Sequence, residues 1–331
     1  MANIDIFAVQ PHQVSRDLRG YSVFLYGGWK TGKTTIAAKF PKALLLAFEK
    51  GYAAIPGVMA LPINSWSDFK RVLRQLKEPQ AQEMYETIII DTADIAYDYC
   101  EKYICNNNGV DAIGDIPYGK GYGLVQDEFD TCIRKIIQLD YGLVLISHST
   151  DRVERDEQGN EYTRMEPTLD KRGRLVCERT CDIIGLSRPT TNSEGQIETR
   201  LYLRETPRYV AGSRFKYMPD YIVFTYENLV DAIGKAIDKE AAENNNKYVT
   251  SERQNNYIEK PDMDRPSFKD MKAEAETLFG DLMAKDAGNR LKIAQIVEEY
   301  LGKAKKFGDT TEADTDQVWL IVQELRALNA K

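Results

Sequence analysis

The chain has 331 residues, 43% of them hydrophobic and 29% charged, with a formal net charge of −7. That supplies one large core and a second small unit, while the acidic balance excludes a global attraction to nucleic acid and leaves only local basic surfaces for it. No apolar run approaches the roughly 20 residues needed to cross a bilayer, and Met1-Ala-Asn-Ile-Asp lacks a basic start before an apolar core, so a soluble cytoplasmic protein with no membrane partner is expected.

After a polar lead, the run from Tyr21 to Tyr26 is rich in β-formers and stops at Gly27. The loop Gly27, Gly28, Trp29, Lys30, Thr31, Gly32 follows, and Lys33, Thr34 and Thr35 open a helix expected to reach Phe40. Strand, glycine-punctuated loop and helix, with GxxxxGKT across them, form a phosphate-binding loop. Glycines let backbone N–H groups approach phosphate oxygens. Lys33 is placed to reach the β- and γ-phosphates, and the Thr34 hydroxyl to meet Mg²⁺. Binding of a nucleoside triphosphate is expected, with ATP and Mg²⁺ as cofactors.

Ala43 to Phe48 is a continuous apolar run of the kind buried parallel strands show, and Val58 to Leu61 suggests a further short strand. Ser65 caps a helix through Lys77 with Phe69, Val72, Leu73 and Leu76 on one face. Thr87-Ile-Ile-Ile-Asp91 is then a strand ending in a carboxylate, the second nucleotide motif, with Asp91 expected to hold the magnesium shell. Ala93 to Cys105 reads as helix, Ile116 to Gly123 as a glycine and tyrosine loop, and Val125, Phe129, Cys132, Ile133, Ile136 and Ile137 as a buried helical stripe. Gly142 to Ser149 is a buried strand whose polar end, Ser147 or His148, would lie near the γ-phosphate if this strand separates the two nucleotide motifs.

Arg152 to Arg164 reads as a polar hairpin turning at Gln158-Gly-Asn160, and Pro167 to Arg174 as a solvated loop. Asp182 to Ser187 resumes the sheet, Gln196 to Arg204 alternates like an edge strand, Val210 to Pro219 is a basic turn, and Glu227 to Ile237 is a helix. Residues 241–266, rich in Asn and poor in apolar side chains, read as a flexible linker after a core of residues 1–240. Residues 267–331 form a small helical unit with apolar stripes near Phe268 to Phe279, Ile293 to Leu301 and Val318 to Leu325. Cys100, Cys105, Cys132, Cys177 and Cys181 contain no CxxC pair and are odd in number, which fits reduced packing residues. With His12 and His148 the only histidines, a zinc site is not expected.

Taken together, the P-loop, the acidic strand end at Glu49, the Ile-Ile-Ile-Asp91-Thr92 strand, the Tyr118-Gly-Lys-Gly-Tyr122-Gly loop, the Leu-Ile-Ser147-His148 strand and the Arg214-x-Lys216-x-x-Pro219 turn resemble phage-encoded RecA-like recombination ATPases of the single-strand annealing class. The resemblance covers roughly Tyr21 to Lys239. It implies an α/β RecA-like P-loop NTPase core with a mostly parallel central sheet, to which the small C-terminal helical unit is added. It further implies that Glu49 activates the attacking water. Thr92, where AAA+ proteins place a second acid, fits that arrangement and disfavours the broader AAA+ class. By the same resemblance Arg214 and Lys216 would act on a neighbour's nucleotide. DNA contact would come from Tyr118, Lys120 and Tyr122 in one loop and from Arg152, Arg155, Arg164, Lys171, Arg172 and Arg174 in another. The implied function is an ATP-dependent, single-stranded-DNA-binding recombinase that assembles with itself as ring or filament. Its rivals are a helicase or loader motor and a nucleotide-gated adaptor that recruits a single-strand-binding protein through the C-terminal helices.

Overall fold

The computed structural model describes residues 11–17, 20–245, 247–252, 266–286, 288–302 and 305–329. Two compact units divide between Glu259 and Lys260. In the first, the elements run β1 (Val14–Ser15), β2 (Ser22–Gly27), α1 (Lys33–Ala37), β3 (Ala43–Ala47), β4 (Met59–Pro62), α2 (Trp66–Gln75), α3 (Pro79–Met84), β5 (Thr87–Asp91), α4 (Ala93–Asn108) and α5 (Lys120–Gln138). They continue as β6 (Gly142–Arg155), β7 (Glu161–Pro167), α6 (Lys171–Thr180), β8 (Ile183–Thr191), β9 (Ile197–Tyr202), β10 (Gly212–Ser213), β11 (Tyr221–Val223), α7 (Tyr226–Glu243) and β12 (Val249–Thr250).

The main sheet has the order β4, β3, β5, β6, β2, β8, β9, β11. From β4 to β8 every pairing is parallel, and β9 and β11 close the edge antiparallel. The strand β6 therefore separates β2, which feeds the phosphate loop, from β5, which ends in Asp91. This is the RecA-like arrangement. Its central strands are apolar on both faces because helices cover both. Alternate side chains sort cleanly: Phe24, Leu44, Leu46, Ile88, Ile90, Leu143 and Leu145 join Phe69, Tyr97 and Phe129 of α2, α4 and α5 on one face. Val23, Leu25, Leu45, Ile89, Val144 and Ile146 join Ile36 of α1 and Leu229, Ile233 and Ile237 of α7 on the other. Each such burial stabilises by about 1.5–3 kcal/mol before the entropy of ordering is counted.

Three segments differ from the sequence reading. Lys171–Thr180 is a helix and not a solvated loop. Its buried stripe of Gly173, Val176, Cys177 and Thr180 is too small to stand out among its charges, and Gly173 is required because a Cβ there would lie 2.6 Å from the Tyr97 ring. The glycine and tyrosine loop is shorter than expected, since α5 begins at Lys120 and Gly121 is buried where a Cβ would meet Ile113 O at 2.6 Å. The expected linker is in part structured: α7 continues through buried Ala241 to Glu243, and β12 pairs in parallel with β1. The stripe Leu229, Ala232, Ile233, Ala236, Ile237 simply extends by one more turn, so the Asn-rich composition concealed a helix end. Residue 246 and residues 253–265 of that linker, like residues 1–10 of the polar lead, lie outside the described residues.

The second unit holds α8 (Phe268–Lys285), α9 (Asn289–Leu301) and α10 (Thr315–Asn329). Met271, Ala275, Leu278 and Leu282 of α8 meet Val318, Ile321, Val322 and Leu325 of α10 at helical spacing. Ser267 caps α8 by accepting from Asp270 N, and the helix runs five residues past Gly280, where the sequence suggested its end. Among the described residues no helix is long and apolar enough to cross a membrane. All five cysteines are buried and free.

Candidate nucleotide site and basic face

The site forms where β2 ends. Gly27 has φ +150° and lies so close to β8 that a Cβ would stand 2.2 Å from Ser187 O, so only glycine fits. Gly32, at φ +87°, is in the left-handed region and turns the loop into α1. Thr31 Oγ1 pins the loop to Ser187 Oγ at 2.7 Å. Lys33 is 5% exposed and its Nζ donates to Gly27 O at 2.9 Å and Gly28 O at 2.8 Å. Burial lowers its pKa, against the pull of Asp91 and Glu49.

Opposite the loop, Thr34 Oγ1 donates to Asp91 Oδ2 at 2.7 Å. Asp91 is 1% exposed, and burial pushes its carboxyl from 3.8 to about 6, with the Thr34 hydrogen bond opposing. Its Oδ1 is buried without a partner. Glu49 follows β3 beside Asp91: the backbone N–H groups of Phe48 and Glu49 both donate to Asp91 O. Its Oε1 lies 3.5 Å from His148 Nε2, and donation by that imidazole holds the Glu49 carboxyl below its usual value. At Gly51 a Cβ would sit 3.5 Å from Asp91 Oδ2, 3.6 Å from Glu49 Oε1 and 3.7 Å from Thr34 Oγ1. A glycine thus keeps open a pocket on which three oxygens converge. An orphaned carboxylate oxygen, a second carboxylate and a hydroxyl are the hard donors that Mg²⁺ takes, so the residues present fit that ion.

These groups share one cavity of about 610 Å³ lined by Trp29, Lys33, Thr34, Glu49, Asp91 and His148, with Ala54, Ile55 and Pro56 as an apolar wall. Trp29 is 79% exposed, and its ring centroid lies 5.9 Å from that of His148. Lys30, Gly32 and Thr35 also line the cavity, while Gly28 contributes the carbonyl that Lys33 holds.

Of the two sensor candidates on β6, only His148 faces the cavity. Ser147 is fully buried on the other face and donates to Asp94 Oδ1 at 2.9 Å. Strand alternation requires this: Ile146 packs on the α1 side, so His148 shares its face and Ser147 cannot. The expectation that the polar strand end lies at the cavity holds for the position of His148 and not for that of Ser147.

The basic residues of 150–174 do not form one loop. Arg152 and Arg155 lie on β6 and Arg164 on β7 of an antiparallel hairpin, and Lys171, Arg172 and Arg174 on α6. Arg164 and Arg174 have side chains only 17% exposed and converge with Arg152 on Glu166, itself 8% exposed. Arg164 also pairs with Glu205, and Arg155 with Glu161. Arg174 therefore clamps α6 to the hairpin, and Arg164 ties the hairpin to the segment after β9, in place of facing solvent, a correction to their expected role at DNA. The exposed set is different. Tyr118, 95% exposed, Lys120 and Tyr122 stand at the start of α5, Lys171 and Arg172 at the start of α6, and the Arg172 guanidinium lies 5.4 Å from the Tyr122 ring centroid.

Arg214 and Lys216 lie elsewhere. Arg214 follows β10 beyond the N-terminal ends of β2 and β8, where its Nη1 donates to Asp182 at 3.0 Å and its Nη2 to Arg179 O at 2.8 Å. Lys216 pairs with Glu243 at 2.8 Å. Neither approaches the cavity of its own chain. Sequence reasoning did not single out Gly51, which no motif marks. Asp94, three residues after Asp91 on the first turn of α4, lies near the strand ends by its position in the sequence alone.

Residues 19–215, more than half of the chain, match the family described as AAA domain. A relative from Bacillus subtilis (strain 168), the SPbeta prophage-derived uncharacterized protein YorG, is 32% identical over 337 residues, covering 99% of each chain. Among solved structures, the KaiC-like protein PH0186 from Pyrococcus horikoshii OT3 aligns with 62% of this chain and 90% of its own at 12% identity and a TM-score of 0.33, and no argument rests on it. The family described as AAA domain thus takes in a chain with Thr92, not a second acid, after Asp91. The chain belongs to the AAA-domain family of P-loop proteins.

Proposed function

We propose that this protein is an ATPase that assembles with copies of itself on single-stranded DNA and promotes strand annealing or exchange. In this reading the loop amides and Lys33 hold the triphosphate and Thr34 and Asp91 hold Mg²⁺, which when bound neutralises charge on the phosphate oxygens. Glu49, kept ionised by His148, takes the proton of the attacking water. Arg214 and Lys216, remote from their own cavity, act on the nucleotide of a neighbouring copy.

The observation that carries the DNA part is the Arg172 and Tyr122 pair, which joins the two exposed sets into one aromatic and basic face. Stacking on tyrosine and contact with backbone phosphates grip a strand without reading its sequence, and such a grip weakens steeply with salt. ATP binding orders this face and hydrolysis releases it, a switch of the order and disorder kind. The prophage origin in the name of the Bacillus relative agrees with recombination of the phage type.

A fluorescent annealing assay run beside a strand-unwinding assay tests the reading. ATP-dependent annealing without unwinding is the expected result, and processive unwinding would replace it with a helicase or loader motor. The adaptor reading draws on the second unit, where Phe279, Ile293 and Val297 line a groove flanked by Arg290 and Lys305 that suits an acidic, apolar segment of a single-strand-binding protein. Hydrolysis no faster than background would favour it.

A further inference from the structure

The nucleotide cavity and the basic face are joined at one side chain. On β6, His148 turns into the cavity and faces Glu49 at 3.5 Å, while its own backbone carbonyl accepts from Thr168 N at 3.0 Å. Thr168 then sends its hydroxyl to Asp94 Oδ1 at 2.5 Å. The same oxygen accepts from Ser147 at 2.9 Å. Asp94 sits on the first turn of α4, three residues beyond Asp91, so it follows directly on the strand end that carries the candidate metal ligand. Two residues after Thr168, Asp170 caps α6 by accepting from Arg172 N at 2.8 Å, and Arg172 in turn lies over Tyr122. Farther along α6, Arg174 is held by Glu166 at the base of the hairpin. The start of the helix therefore hangs on the strand end, and its body is tied to the hairpin.

A single carboxylate oxygen thus collects the sensor strand and the segment that leads into α6. The other oxygen, Oδ2, is buried with no partner. The Thr168 hydroxyl adds a side-chain link to α4 beside the backbone bond to His148 and the pairing of Pro167 with Ser149.

We propose that Asp94 is a positioning residue that fastens Thr168–Asp170 to the nucleotide end of the sheet, so that a displacement of His148 on triphosphate binding is carried to Lys171 and Arg172. The inference rests on the reading of the cavity as an ATP site and gives that site its route to the basic face. Coupling of this sort needs a discrete physical connection that both ends bias, and the Asp94 joint supplies one.

The test is hydrogen exchange of the backbone amides of residues 169–176 in the full chain, with and without a non-hydrolysable ATP analogue and Mg²⁺. In the native protein the analogue should slow exchange there at least about threefold. Thr168→Val, which removes only the hydroxyl, should erase that difference while binding the analogue within about twofold of native affinity. Thr168→Ser, which restores the hydroxyl, should recover it. A merely structural role for the bond would raise exchange equally in both states and leave the nucleotide-dependent difference intact. Full nucleotide-dependent protection in Thr168→Val, or none in the native protein despite bound analogue, overturns the proposal. Failure of the native protein to bind the analogue would instead remove the ATP reading beneath it.

Discussion

The two ends of the central sheet are built on opposite terms. At the N-terminal ends of β2 and β8, Ser22 N and Oγ both donate to Asp182, Arg214 adds a third donor to that carboxylate, and the remaining reach of the guanidinium goes to Arg179 O. At the C-terminal ends, Asp91 Oδ1, Thr92 Oγ1, Asp94 Oδ2 and His148 Nδ1 are buried with no partner, against Thr180 Oγ1 alone at the N-terminal end among the described residues. An unpaired buried polar group costs about 1–3 kcal/mol, so a cluster of them at one end is retained for something other than stability. The satisfied end holds the fold together; the unsatisfied end is where a ligand belongs.

Substitutions at the two ends should therefore act on different observables. Lys33→Ala should have the largest effect, lowering nucleotide turnover by at least about 10³-fold through lost contact to the phosphates; turnover near the native rate would remove the phosphate loop from the account. Glu49→Gln comes next, with nucleotide affinity retained in equilibrium binding and steady-state turnover slowed about 10²–10⁴-fold. Native turnover in that variant would move the base to another group.

Asp91→Asn should separate stability from function. A carboxyl raised from 3.8 to about 6 binds its proton more readily folded than unfolded. Its contribution to stability is then fully present below 3.8 and lost as pH rises through about 6. At pH 7 the buried charge costs about 2–3 kcal/mol, so Asp91→Asn should raise the stability of the nucleotide-free protein in urea unfolding by about 1–3 kcal/mol while losing the stabilisation by Mg²⁺ and ATP analogue. A less stable variant at pH 7 would mean that the carboxylate is already satisfied. Arg214→Ala, at the satisfied end, should be the smallest effect. Its ion pair is 57% exposed on the arginine side, so about 0.5–1 kcal/mol of stability is expected to be lost. A fall in turnover that appears only at concentrations where copies associate would place the arginine in a neighbour's site.

Much of the core was legible from residues 21–149, because the buried strands are unbroken apolar runs and the two nucleotide motifs fall at their ends. The strand end at Ser147 and His148 shows how close the reading came. Its location was plain, but which side chain enters the cavity follows from parity with Ile146 and had to be worked through. The helix at Lys171–Thr180 was hidden because its buried face is Gly173, Val176, Cys177 and Thr180, three of them small, among five charged neighbours. Arg164 and Arg174 looked like nucleic-acid ligands because the acids that claim them, Glu205 and Glu166, meet them only through the fold. Gly51 carried no local signal at all: it matters through what a Cβ would displace, and that depends on Glu49 beside it and on Thr34 and Asp91 from two other segments.

The central claim is that the unsatisfied end of the sheet binds ATP and reports it to the face of Tyr118, Lys120, Tyr122, Lys171 and Arg172. The most direct test is the ATP hydrolysis rate of the full chain with and without a short single-stranded oligonucleotide, at low and at raised salt. The account predicts a rate that rises with the oligonucleotide and loses that rise as salt increases. A rate that is measurable but identical in the presence and absence of oligonucleotide at low salt would contradict it.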